Sequence, residues 1–306
     1  MTAARIHLAL RPAGNGGLAA LLAETADLGF SGVELAAHAL GAIFGGRLHA
    51  AEAERVARTV RAAGLAVSLH APLSLNLMDD AHAETHAAVA AGCIEIGGLL
   101  GAAALVVHPG WLPRARAAEE AALRMREAEG LARLADLAAD AGMVVALENM
   151  PTVTPKLVGD RFTYGNDPAR IAAMVRKIGH PALTCCLDVS HAAIAAATRG
   201  SDLAADIRAM APDIGHLHLH DSFGLPPELF TWIAEENDAF GQGDLHLPLG
   251  WGNLDFDRLL TGLAVRPDPI LTLEIIPRHQ RPETLADSLA RARRIAAALA
   301  PAPAAA

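Results

Sequence analysis

Residues 117–150 read AAEEAALRMREAEGLARLADLAADAGMVVALENM, and this stretch holds one full repeat of the architecture. Leucines recur at helical spacing among Glu, Asp and Arg, which predicts a helix over 117–141. Gly142 follows as a helix C-cap. Met143-Val144-Val145-Ala146-Leu147 is an unbroken apolar run, the pattern of a strand buried on both faces, and it stops at Glu148. The same alternation extends in both directions. Strands are predicted over 5–10, 32–35, 65–70, 104–108, 143–148, 183–188, 214–220 and 270–274. Helical spacing fills 17–28, 51–63, 83–100, 168–177, 202–210 and 282–299. Eight strand–helix units predict parallel strands closed into an α/β (β/α)8 TIM barrel, a single domain over 1–299. The breaker-rich stretch 223–251 reads as a long loop after strand seven, and the Pro/Ala tail 300–306 as disordered. Gly14-Asn15-Gly16-Gly17 lacks dinucleotide or P-loop spacing and reads as a tight turn.

Composition narrows the function. The 306 residues are 52% hydrophobic but only 4% aromatic, so the core is built of Ala, Leu, Val and Ile. Lys and Arg number 25 against 34 Asp and Glu, a net charge of −9 that disfavours a nucleic-acid-binding surface. No apolar run is long enough for a membrane span, and the N-terminus lacks a signal-peptide core. Three cysteines, two of them adjacent at Cys185 and Cys186, make no disulfide framework and point to a reducing, cytoplasmic setting.

The chemistry collects at the strand ends. His70, His108, Glu148, Asp188 and Glu274 close strands three, four, five, six and eight, and strand seven carries His216, His218 and His220. In a (β/α)8 barrel these ends converge on one mouth. One strand-end histidine alone is an ordinary rim residue. Clustered carboxylates repel one another, however, and a dication is the simplest remedy. Mixed His and carboxylate donors suit Zn2+, with Mn2+ or Fe2+ as alternatives. Period two puts the three histidines of strand seven on one face at different depths, so one is a ligand and the others lie in the core or behind it. His191 falls on the first turn of the helix after Asp188. Asp244 and His246 share one side of an extended loop segment, and the three together offer a separate His/Asp/His metal site.

These segments resemble a known family. His70-Ala71-Pro72 with Asn76-Leu77, Val107-His108-Pro109-Gly110, Leu147-Glu148-Asn149, Asp188-Val189-Ser190-His191, His218-Leu219-His220-Asp221-Ser222, Asp244-Leu245-His246 and Leu273-Glu274 occur in the order seen in endonuclease IV. That is the family-2 AP endonuclease branch of the xylose-isomerase-like TIM barrels. The resemblance implies up to three zinc ions. His70, His108 and Glu148 would hold the first. Glu148 would bridge to a second, completed by Asp188, His218 and Glu274, and His191, Asp244 and His246 would hold the third. It further implies a metal-dependent phosphoesterase in which Glu148 positions the nucleophile.

Departures from that family bear on the substrate. Leu73 stands where the repair enzymes place an aromatic wedge, and 38–49 contains Arg47 but no lysine. The insertion before Asp244 carries Glu228, Glu235, Glu236 and Asp238, and Gly32-Val33-Glu34-Leu35 looks more like the sugar-isomerase branch. A small phosphorylated molecule or nucleotide is therefore expected as substrate in preference to abasic duplex DNA. The alternative is a sugar (phosphate) isomerase or epimerase that uses one divalent metal, with Glu148 and Glu274 as acid and base. A non-catalytic metal-binding scaffold is the third class.

Overall fold

The computed structural model describes residues 4–12, 17–152, 160–228 and 234–302. Eight parallel strands close the barrel: β1 Arg5–Leu10, β2 Gly32–Ala36, β3 Ala66–His70, β4 Ala104–Val107, β5 Val144–Glu148, β6 Leu183–Asp188, β7 Ile214–Leu219 and β8 Ile270–Leu273. Each pairs with its neighbours in sequence, and β1 closes the ring against β8 through Leu8 opposite Leu273.

Helices cover the outside: α1 Leu18–Asp27, α2 Ala50–Ala63, α3 Ala83–Leu100, α4 Glu120–Asp140, α5 Pro168–Ile178, α6 Val189–Arg199, α7 Leu203–Met210, α8 Ala234–Phe240, α9 Phe256–Leu260 and α10 Pro282–Ala298. Their starts follow local chemistry. The carboxylates of Asp167, Asp188 and Asp202 accept backbone N–H bonds at the N-termini of α5, α6 and α7. Leu35, Leu69, Leu105 and Leu147 are fully buried in the main apolar cluster together with Val56, Ile96, Leu134 and Ile171 of the surrounding helices.

The inside of the barrel is different. Val106, Ala146 and Cys186 form a small apolar cluster of their own. Around it lie buried His7, Glu34, Ser68, Thr184, His216 and Thr272. Gly32 makes room for one of them, since a Cβ there would lie 2.5 Å from His7 Nε2 and 2.6 Å from Ala66 O. Some of these polar side chains partner one another: Ser68 Oγ lies 2.9 Å from His7 Nδ1 and donates to Glu34, and Thr272 lies 2.9 Å from His216 Nε2 and donates to the same Glu34.

Two sequence expectations need adjustment. The stretch expected as a loop over 223–251 contains α8, whose Asp238 is held by Arg278 through two guanidinium contacts at 2.7 and 3.1 Å. That pairing neutralises one of the acidic residues of the insertion. Ala300 and Pro301, placed in the disordered tail, pair instead with Ala264 and Val265. Residues 303–306 of the tail and Gly14, Asn15 and Gly16 of the expected turn lie outside the described residues. No described helix is long and apolar enough to cross a membrane.

Candidate metal centre

All nine candidate ligands stand at the mouth formed by the C-terminal strand ends. His70, Glu148 and Asp188 terminate β3, β5 and β6, His108 and Glu274 directly follow β4 and β8, and His218 lies in β7. His191 is on the first turn of α6, where its N–H donates to Asp188 at 2.7 Å. Asp244 and His246 come from the loop between β7 and α9.

The donors fall into three sets, each with ligand atoms within 4.8 Å of one another. Glu148, Asp188, His218 and Glu274 form one, His70, His108 and Glu148 the second, and His191, His220, Asp244 and His246 the third. Glu148 belongs to two sets because its oxygens face different ways. Oε1 lies 3.2 Å from His218 Nδ1 and 3.3 Å from His191 Nδ1. Oε2 lies 3.2 Å from His108 Nε2 and 3.4 Å from His70 Nε2. Glu274 approaches the same His218 Nδ1 at 3.4 Å from the other side of the ring of strands.

The imidazoles fit a metal in their orientation. His70 Nδ1 donates to Ala71 O at 2.8 Å, His191 Nδ1 to Asn149 O at 3.0 Å and His246 Nδ1 to Glu274 O at 2.8 Å. A carbonyl only accepts, so each ring keeps its proton on Nδ1 and presents Nε2 to a carboxylate. His191 Nε2 and His246 Nε2 both point to Asp244 Oδ2, at 3.1 and 2.9 Å. This is the arrangement in which a dication displaces any proton from Nε2 and is held by nitrogen and oxygen together.

Electrostatics agree with that donor set. Burial pushes the Glu148 carboxyl up, but the charge of His218 and hydrogen bonds from His108, His191 and His218 hold it well below the usual carboxylate range. Burial likewise opposes ionisation of Asp244, and the charges of His246 and His191 overcome it. His191 is lowered by burial and raised further by Asp188 and Asp244, ending well above an ordinary imidazole. Ionised carboxylates so close together need cationic partners, which protonated imidazoles or metal ions supply.

A layer deeper, Glu34 supports the centre, and its part was not identified from sequence. Glu34 Oε1 lies 3.0 Å from His218 Nε2, and Oε2 lies 2.9 Å from His216 Nε2. Ser68 and Thr272 donate to the same Oε2 at 3.1 and 3.2 Å. His218 is thus held from behind by a carboxylate and turns Nδ1 toward Glu148 and Glu274. On strand two, Gly32-Val33-Glu34-Leu35 carries no local signal that Glu34 faces histidines of strand seven. His216 is the deep member of its row. His220 lies beside Asp188 at 2.9 Å and stacks on the His246 ring at a centroid distance of 4.0 Å. Cys186 also approaches His216 and His218, but burial keeps its thiol protonated, so it packs as core.

Fold and site together define a (β/α)8 barrel with a His/carboxylate metal-type centre at the mouth formed by the C-terminal strand ends. Residues 22–295 match the xylose isomerase-like TIM barrel family, and the chain belongs to it. Among solved structures, a D-tagatose 3-epimerase-like protein superposes with a TM-score of 0.68 at 18% identity, covering 95% of this chain and 97% of that one. The 3-keto-D-glucoside 4-epimerase YcjR of E. coli gives 0.65 at 18%, covering 95% and 99%. D-psicose 3-epimerase from Clostridium cellulolyticum H10 gives 0.64 at 13%, also covering 95% and 99%. An uncharacterized protein of Methanocaldococcus jannaschii, MJ1311, is 25% identical over 171 residues, 56% of this chain. The matched stretch spans about half, 50%, of that relative's length.

These findings correct the expected activity. The three solved structures named above are two sugar epimerases and a sugar epimerase-like protein, and the phosphoesterase assignment is withdrawn.

Proposed function

We propose that the protein is a divalent-metal-dependent epimerase or isomerase of a small sugar, with Glu148 and Glu274 as its acid–base pair. The observation that carries this reading is their placement. Two carboxylates from β5 and β8 approach one imidazole nitrogen, His218 Nδ1, at 3.2 and 3.4 Å, and so flank a common space. One carboxylate takes the proton from the carbon beside a sugar carbonyl. The other returns a proton to the opposite face, which inverts the centre, or to the adjacent carbon, which moves the carbonyl.

Glu148, Asp188, His218 and Glu274 would hold the metal next to that space, where it would polarise the sugar's oxygens. His70 and His108, sharing Glu148, and His191, Asp244 and His246 with His220 add capacity for up to three ions. The histidine content favours Zn2+, with Mn2+ or Fe2+ as alternatives. Proton transfer requires only the first set. Structural likeness to sugar epimerases supports a sugar as substrate, and the charge of −9 favours a small molecule over duplex DNA. The free buried cysteines support a cytoplasmic setting.

The test is a panel of ketoses and their acidic and phosphorylated derivatives incubated with Zn2+- or Mn2+-loaded protein. Epimer or isomer formation is followed by NMR. Conversion lost in Glu274→Gln supports the reading, and no conversion of any sugar with metal bound overturns it.

A further inference from the structure

At the end of β1 the mouth carries a cation that the metal-type centre does not use. Arg11 is exposed and directly follows the strand that lies between β2 and β8. It lines two small cavities, of about 90 and about 20 Å3, which both also reach Ala9 and Glu274. His246 and Gln280 also line the larger, and Glu34, His38, His70 and Leu73 the smaller. No other Arg or Lys lines either cavity among the described residues. Arg11 makes no ion pair or hydrogen bond among those residues, although carboxylates crowd the same mouth. Burial and then the charge of Arg11 keep His38 below the ordinary imidazole range. The guanidinium field therefore reaches across the space between β1 and β2.

A neutral sugar offers such a residue hydrogen-bond acceptors but no opposite charge. Once the carboxylates are neutralised by metal, an unpaired guanidinium makes this side of the mouth electropositive, complementary to an anion. Its planar fork matches two oxygens of a carboxylate or a phosphate. Gln280 spends its amide N–H groups on Ile275 O at 2.7 Å and Ala9 O at 3.4 Å, which leaves its carbonyl oxygen to accept from a sugar hydroxyl. We propose that Arg11 forms an anion subsite beside Glu274, so that the substrate is an acidic sugar, carrying a carboxylate or a phosphate, and not a neutral ketose. This rests on the sugar epimerase or isomerase reading and adds the substrate's charge to it.

Calorimetry on the metal-loaded full chain tests it, with D-gluconate as carboxylate probe, D-fructose 6-phosphate as phosphate probe and D-fructose as neutral control. One of the two anions should bind roughly ten- to a hundredfold tighter than D-fructose, the value of a charged hydrogen-bonded contact. Which of them does so identifies the anionic group. Arg11→Met should remove that preference, Arg11→Lys should keep part of it, and the melting temperature should hold in both, because the residue is exposed and has no partner among the described residues. Equal binding of charged and neutral sugars, no binding of either anion, or a preference that survives in Arg11→Met overturns the proposal. The sugar reading is judged separately by deuterium uptake from D2O. An Arg11-dependent anion preference without uptake into any sugar removes the epimerase reading and leaves the subsite. Uptake into D-fructose at equal rates in the native protein and Arg11→Met does the reverse.

Discussion

The mouth contains two kinds of donor set, one carried by strands and one by a loop. Glu148, Asp188 and His218 are at most 1% exposed and sit in β5, β6 and β7, with Glu274 directly after β8 and 9% exposed. Their positions follow from barrel closure, and Glu34 fixes His218 from below. Asp244 and His246 have no strand beneath them. The Asp244 side chain is 28% exposed, and His246 adopts φ +50°, a left-handed conformation that costs a non-glycine residue about 1 kcal/mol. What holds this loop is Asp221, whose carboxylate accepts from the N–H groups of Ser222, Gly250 and Leu254, and whose backbone pairs with Leu247. A strand-borne site is organised in advance by the core. A loop-borne site is organised largely by its own hydrogen bonds and by what it binds.

The largest effect is expected at the residue shared by two strand-borne sets. Glu148→Gln keeps the shape but removes the charge that His70, His108, His191 and His218 all face. Sugar turnover should fall by roughly 10²- to 10⁴-fold, the usual value of a positioned acid–base group, and bound metal should drop in elemental analysis. Retained turnover would dissolve the distinction between the two kinds of site, because the charge at its centre would be dispensable.

Next in size, His246→Ala should remove about one metal ion per chain while the strand-borne set stays loaded. Competition with a chelator should show this ion leaving first in the native protein. Equal release of all bound metal would mean that loop and strand sites are one cooperative unit. Glu34→Gln should weaken strand-borne metal by roughly 10- to 100-fold with little change at the loop, because it acts only through the orientation of His218. Metal titration of the two variants side by side separates these effects.

A separate effect concerns stability. Glu127 of α4 is buried and accepts from Gly110 N at 2.5 Å, and so pins the segment just after His108. Burial raises its pKa from 4.5 to about 7. The folded state therefore holds this proton more tightly than the unfolded chain, and stability declines as pH rises from about 4.5 to 7. Glu127→Gln should stabilise the protein by up to about 3 kcal/mol at pH 8 and by little at pH 4.5, in thermal or urea melts. An unchanged difference across that range would show that Glu127 is not ionising in the fold.

The strand-borne part of the site was legible in the sequence, and the reason is physical. Period-two strands ending in His, Glu or Asp have only one place to deliver those side chains once a barrel closes. Loop donors were legible through spacing alone. Asp244 and His246 could be paired with His191 by family resemblance, but nothing local showed that His220 would stack beside them. Glu34 was hidden because its partners are on β3, β7 and β8, far away in the chain. Arg11 was hidden because an exposed arginine after a strand carries no pattern. The chemistry was misread for a related cause. Carboxylates and imidazoles are used in hydrolysis and in proton transfer alike, so the donor types alone did not decide the reaction.

Hydrogen exchange between solvent and substrate tests the central claim most directly. The metal-loaded protein is incubated in D2O with a sugar that it binds, and the recovered sugar is examined by NMR and mass spectrometry. Deuterium should enter at the carbon next to the carbonyl, and Glu148→Gln and Glu274→Gln should each abolish formation of the deuterated epimer or isomer while the sugar still binds. A sugar recovered without deuterium from protein shown to hold both metal and sugar would contradict the assignment of Glu148 and Glu274 as an acid–base pair.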